Sequence, residues 1–229
     1  MAIAAAQPVS TDTDDQVVHL KVSWPIYEAL VESLGDDSHL RLTYDGEFLE
    51  IMSPGSPHDF IASLIGDMIL CVRDEWPIEI TSYRSTTFKT DKATRGFEGD
   101  QAYYVGEIEN RIRDVWHLDI STDPPPDLVV EVDITHKSTN KFPTFVRLGV
   151  PEVWHYTKKA FLWYALEGDA HVPITTSRIL AGLPMVEVTK RVAVARPGKT
   201  KAFISEWRQW LRANRHLHES ATEQNEGRD

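Results

Sequence analysis

The succession helix, strands, helix, strands predicts an α/β (α+β) fold, a mixed β-sheet flanked by helices with an N-terminal helix and a β-hairpin. Three observations carry this prediction. Apolar residues recur at helical spacing over 24–34, 61–69 and 203–211. Between 40 and 166 they instead alternate, or run on, in short stretches suited to strands. Gly and Pro clusters mark the boundaries, and no repeat or linker interrupts 21–215, which predicts one domain between flexible tails at 1–20 and 216–229.

Taken in order, Ser23 is placed to cap a helix from Trp24 to about Leu34, with Pro25 in its first turn and Gly35 as its stop. Tyr27, Leu30, Val31 and Leu34 share one face. Leu40, Leu42 and Tyr44 alternate up to Asp45-Gly46, a hairpin signal, and Phe48–Met52 is the return strand. After the breaker SPGSP, Ser56-Pro57 suits the start of a helix that buries Ile61, Leu64, Ile65, Met68 and Ile69 and ends before Pro77. Strands follow at 78–82, 86–89 and 101–105. A charged connector (107–123) and three prolines lead into a strand at 128–132. A short helix over 139–148 must begin near Pro143 or be irregular. Two more strands at 153–156 and 162–166 precede a C-terminal amphipathic helix with Phe203, Trp207, Trp210 and Leu211 on its apolar face.

Composition narrows the class. Seven Trp, seven Tyr and eight Phe among 229 residues supply large surfaces to bury, which excludes disorder as the dominant state. The lone Cys71 excludes a disulfide-stapled scaffold. No apolar run approaches the ~20 residues of a membrane span, and the first residues lack a basic segment followed by an apolar one, so a soluble, cytoplasmic protein is expected. Net charge is −11. Each tail carries −3, leaving −5 on 21–215, which predicts weak nonspecific affinity for DNA but leaves room for a carboxylate metal site. Lys89, Lys92, Arg95, Arg111 and Arg113 are candidates for a local basic rim. The run RPGKT at 196–200 ends like a phosphate-binding loop, but position 193 is Ala where the first Gly is required, so it reads as a turn.

The segment DLVVEVD (127–133) carries the chemistry. On a strand, Asp127, Val129, Glu131 and Asp133 face one way and Leu128, Val130 and Val132 the other. The same alternation suits a half-exposed strand with a wet face. A carboxylate between valines is costly unless compensated, however, and a metal ion held by Glu131 would compensate it. Asp100 opens an earlier strand and supplies a second ligand if the two strands pair. Oxygen ligands without Cys or clustered His favour Mg²⁺ or Mn²⁺ over Zn²⁺.

The runs LRLTYDGEFLEIMSPGSPHDF, STTFK, GDQAYYV, PPPDLVVEVDIT and NKFPTFVRLGVPEVWHY, in that order over roughly 20–190, resemble the Uma2 family of endonucleases, whose fold is similar to the PD-(D/E)XK restriction-endonuclease core. The resemblance implies metal ligands at Asp100 and Glu131. Where the superfamily's E-x-K motif has lysine this chain has Asp133, and the family's substitute falls on Lys141, eight residues before Gly149; Lys137 is out of register. Glu50 and His58 match the family's acidic residue before Ser-Pro and its histidine at the next helix start, and Asp127 is carried as an auxiliary acid. The chain departs from the family pattern in having Gly99 and Gln101 around Asp100, where Pro and an acidic residue are usual. The implied function is Mg²⁺- or Mn²⁺-dependent endonuclease action on nucleic acid, DNA foremost, by a homodimer. The alternative is a non-catalytic dimeric binding or regulatory module that keeps the fold. Taken alone, Lys141 reads as a solvated lysine, His58 as a polar residue at a helix start, and Asp127 as a strand cap.

Overall fold

In the computed structural model, residues 15–35, 38–84, 86–90, 94–106, 122–134 and 141–226 are described, with 112, 118 and 120. Among them are six helices and two sheets, an α+β architecture of the restriction-endonuclease-like kind. The first sheet is antiparallel, in the order β1 (Gln16–Lys21), β3 (Phe48–Ser53), β2 (Arg41–Tyr44), β6 (Arg95–Glu98), β5 (Thr87–Thr90). The second is mixed, in the order β11 (Ala170–Ile174), β10 (Phe161–Glu167), β9 (Glu152–Thr157), β8 (Leu128–Asp133), β7 (Gln101–Val105), β4 (Ile80–Ser82), with only β8 and β9 parallel. Gly99-Asp100 joins β6 to β7, so the chain passes from one sheet to the other at the predicted first ligand.

The predicted helices and strands form close to their expected bounds. α1 (Trp24–Leu34) packs Tyr27, Leu30, Val31 and Leu34 against Leu42, Tyr44 and Leu49 of the hairpin. That hairpin turns through Asp45, whose carboxylate accepts hydrogen bonds from the N–H groups of Glu47 (2.9 Å) and Phe48 (2.8 Å). α2 (Ser56–Glu75) starts at the expected cap residue, so that Gly55 is the N-cap and Pro57 lies inside the first turn. Its apolar face meets Leu128, Val130 and Val132 of β8 in the largest core cluster. α3 (Phe142–Leu148) begins beside Pro143 and stops at Gly149, whose φ of 77° is a left-handed cap that a β-carbon would strain.

The tails differ from expectation at both ends. Residues 16–20 pair with β3 as an edge strand, because this stretch itself carries no acid and follows the acidic residues that marked the tail, and the carboxylate of Asp15 is buried, accepting from Gly55 N–H at 2.9 Å. At the other end His216–Glu226 form helix α6. There His218 stacks on Trp76 at 5.3 Å, with its Nδ1 3.0 Å from Ala181 O. Residues 1–14 and 227–229 lie outside the described residues, as do Lys92, Arg111, Arg113, Lys137 and most of the 107–123 connector. Three further elements had no sequence prediction, β6, β11 and α4 (Met185–Val194). The C-terminal helix, α5 (Thr200–Ala213), covers the core. Trp207 Nε1 donates to Met68 O (3.0 Å) and Trp76 Nε1 to Leu211 O (3.0 Å), which clasps α5 to α2.

Candidate active site

The predicted site strand is not half wet. Leu128, Val130 and Val132 enter the core under α2, while Val129, on the side of Glu131, packs with Phe145 and Val153. Glu131 therefore sits in a strand buried on both faces, the costly case for a carboxylate. The antiparallel register of β7 and β8 pairs Gln101 with Val130, and one step further it sets Asp100 abreast of Glu131. Asp100 Oδ2 accepts the Val132 N–H at 2.8 Å, which ties the corner to β8.

Gly99 lies directly against the site strand. A β-carbon there would stand 3.0 Å from Val129 Cγ1 and 3.6 Å from Glu131 Oε1. The glycine thus serves close packing of the corner against the site strand.

Lys141 is not a solvated lysine. It occupies the N-cap of α3, where its carbonyl accepts from the N–H groups of Thr144 (2.9 Å) and Phe145 (3.0 Å). Its side chain turns inward and Nζ donates to Glu131 Oε2 at 2.7 Å. His58, in the first turn of α2, makes no cap hydrogen bond; its Nε2 lies 3.2 Å from Asp100 Oδ2. Glu50 comes from β3, in register with Thr43 and His19, and its Oε2 is 3.9 Å from His19 Nδ1. Glu50, His58, Asp100, Glu131 and Lys141 are each at most 5% exposed.

Charge follows from this burial. Desolvation would raise Asp100, but His58 and Lys141 outweigh it and hold the carboxyl below its ordinary value. Desolvation would lower His58, yet Asp100 beside it brings the imidazole up to about 9, so the two form an ion pair at neutral pH. For Glu131 desolvation wins over Lys141, and its pKa rises to about 7. Lys141, in the field of Glu131, Asp100 and Glu50, is held protonated above its usual range despite its burial.

The remaining candidate, Asp127, is not brought to this cluster. It lies at the far end of the strand, four residues before Glu131, where its carboxylate accepts the Val105 N–H at 2.8 Å and laces β7 to β8. It is a strand clamp. Asp133 pairs with His155 (2.6 Å).

Three residues absent from the sequence-based set belong here. Arg41 Nε stands 4.0 Å from Asp100 Oδ1 and, among the described residues, has no hydrogen-bond partner. Glu98 ends β6, accepts from Thr87 Oγ1 at 2.6 Å, and is raised by burial against the pull of Thr87, Arg41 and Lys141. Asp15 adds its charge to the field on His58. Arg41 takes a polar position in the alternation at the start of β2, where an arginine reads as solvent-facing. Glu98 and Asp15 fall where no strand was expected.

The donor set suits a hard divalent cation. Asp100 Oδ1 and Glu131 Oε1 are buried oxygens, on neighbouring residues of paired strands, without a hydrogen-bond partner among the described residues. No group of three His, Cys, Asp or Glu among those residues is arranged as a metal cage. Mg²⁺ needs no such cage, since one or two carboxylates with water and substrate phosphate suffice.

A model of the Uma2 family, described as putative restriction endonuclease, matches residues 24–193. The chain belongs to the Uma2 family, and membership supports a nuclease-like function. No curated protein matches the chain in sequence. Among the described residues no helix is long and apolar enough to cross a membrane.

Proposed function

We propose that the protein is a divalent-metal-dependent endonuclease that hydrolyses phosphodiester bonds of nucleic acid, DNA foremost. One observation carries the reading: two abreast buried carboxylates, Asp100 and Glu131, each keep an oxygen that no donor among the described residues satisfies, with Lys141 on the second. Such oxygens cost stability in a buried site unless a ligand answers them. Mg²⁺ or Mn²⁺ held there would acidify water and draw charge from the phosphoryl oxygens.

The chain's own residues supply the rest. His58 keeps Asp100 ionised and oriented, and as the protonated partner at neutral pH it enters the reaction as a donor, toward the leaving oxygen. Lys141 keeps its proton and sets a fixed positive charge where negative charge builds on the attacking oxygen. Glu50 adds its charge to the field on Lys141 and is a further candidate toward the ion. Arg41, near Asp100, balances the acidic cluster. Two copies related by a twofold axis would cut both strands of a duplex, so a homodimer acting in the cytoplasm belongs to this reading.

Burial of the whole cluster favours the second reading, a binding module that keeps a relic site. Incubation of supercoiled plasmid, single-stranded DNA and RNA with Mg²⁺, with Glu131→Ala alongside, separates the two. Cleavage lost in the variant supports the enzyme. No cleavage of any substrate by the parent chain rejects it.

A further inference from the structure

A groove of about 880 Å³ opens beside α3 and is lined by Arg95 from β6, Phe142 and Arg147 from α3, Tyr164 from β10, and Asp169 and His171 at the start of β11. Phe142 follows Lys141 directly, so the groove adjoins the candidate site along the chain. Its chemistry is mixed in a particular way. Two guanidinium groups suit phosphate. Phe142 and Tyr164 meet edge to face, with centroids 4.8 Å apart, and Phe142 also meets His171 edge-on at 5.6 Å, giving an aromatic wall. His171 Nε2 lies 2.9 Å from Val150 O, which fixes the proton on Nε2 and leaves Nδ1 as an acceptor. That Nδ1 is buried and has no partner among the described residues.

We infer that this groove is a substrate subsite that takes an unpaired nucleotide flanking the bond to be cut. Its phosphate is drawn by Arg95 and Arg147, and its base lies against Tyr164 and Phe142. The occupant is unpaired because a base inside a duplex offers neither its face nor its Watson–Crick donors. Asp169, the single carboxylate among the described lining residues, accepts from an amino or hydroxyl group and repels a second phosphate. The assignment as a substrate subsite rests on the nuclease reading.

The test needs no catalysis. Fluorescence anisotropy in EDTA would follow binding of an end-labelled oligothymidylate of about 12 nucleotides to the full chain. Tyr164→Leu should weaken binding about 10-fold, and Tyr164→Phe should restore it, because stacking needs the ring and not the hydroxyl. Arg147→Ala should weaken binding and lower the salt slope by about one. Asp169→Asn should tighten it, and binding of a blunt-ended, fully paired duplex should ignore Tyr164→Leu. Oligonucleotide affinity unchanged in both Tyr164→Leu and Arg147→Ala would overturn the subsite. So would thymidine monophosphate binding as tightly as the oligonucleotide, since that marks a free-nucleotide site. If the variants behave as expected while the parent chain cuts nothing, nucleotide binding stands and hydrolysis falls; if cleavage persists and binding ignores the groove, the reverse holds.

Discussion

β8 and β9 run side by side in parallel, and each carries a glutamate that water scarcely reaches, Glu131 at 4% exposed and Glu152 at 0%. Glu152 is answered by four donors: Trp154 Nε1 and Ser177 Oγ to one oxygen (both 2.6 Å), and the N–H groups of Arg178 (2.8 Å) and Ile179 (3.2 Å) to the other. Glu131 has one donor, Lys141, and its other oxygen has no partner among the described residues. Burial raises the pKa of both. The difference lies in completeness. A saturated carboxylate, pinning the 177–179 segment to β9, is a structural fastener; an unsaturated one beside Asp100 holds capacity for a ligand.

The largest effect expected from this contrast is on catalysis. Glu131→Gln should cut Mg²⁺-dependent plasmid cleavage by at least about 10³-fold, the scale on which one strong electrostatic stabiliser acts. Its melting temperature should hold or rise, since the amide keeps the shape and removes a buried charge. Glu152→Gln should leave cleavage per folded molecule unchanged. Equal loss of cleavage in both variants would dissolve the distinction.

Stability should show the opposite order. Glu152→Ala strands four donors, two of them buried and two part-buried, and should cost about 3 kcal/mol, or roughly 6–12 °C in Tm for a domain of this size, measured by thermal unfolding in EDTA. A change within about 0.5 kcal/mol would mean that the fastener is not one.

A third and smaller difference concerns metal. Mg²⁺ at about 100 times its Kd should raise the Tm of the parent chain by roughly 5–10 °C, as a ligand that prefers the folded state does. The response should vanish in Glu131→Gln and survive in Glu152→Gln. Lys141→Ala should keep it while losing cleavage by about 10²- to 10³-fold, because the lysine neutralises developing charge and does not hold the ion. A response that persists unchanged in Glu131→Gln places the ion elsewhere.

The two glutamates also mark what the sequence could tell. Elements whose side chains follow one period were legible, among them α1, α2, β7 and β8. β6 was not. Its Gly96 reads as a breaker, yet the glycine is required, because a β-carbon there would stand 2.2 Å from the Tyr27 hydroxyl. β1 hid in an acidic stretch, and β11 carries a proline opposite Tyr164. The site was read through several motifs in family order, and the geometry gathers five of the six residues so named. Glu152, in VPEVW, looks like a strand opening, since nothing in the sequence places Ser177 and the 178–179 backbone over it. Arg41, Glu98 and Asp15 escaped for the same reason: their roles come from the meeting of two sheets, which local pattern does not record.

The smallest expected effect is on the pH dependence of stability, and it isolates Glu152. Burial holds its folded-state pKa above the ordinary 4.5, against the pull of its four donors. Over that interval the folded chain binds more protons than the unfolded one, so this group's contribution is fully present below pH 4.5 and is lost as pH rises through the folded value. Glu131 adds its own decline, ending near its pKa of about 7, so a falling curve for the parent chain cannot be assigned to either group alone. The informative quantity is the difference between the parent chain and Glu152→Gln, measured by thermal unfolding from pH 4 upward in EDTA. The variant should be less stable throughout, because an amide nitrogen faces donors on one side. That deficit should narrow as pH rises above 4.5, since the parent chain loses a protonation that the variant never had. A deficit that widens with pH would mean that the four donors outweigh burial and depress the folded pKa, which would make Glu152 an ionised anchor and enlarge its contrast with Glu131.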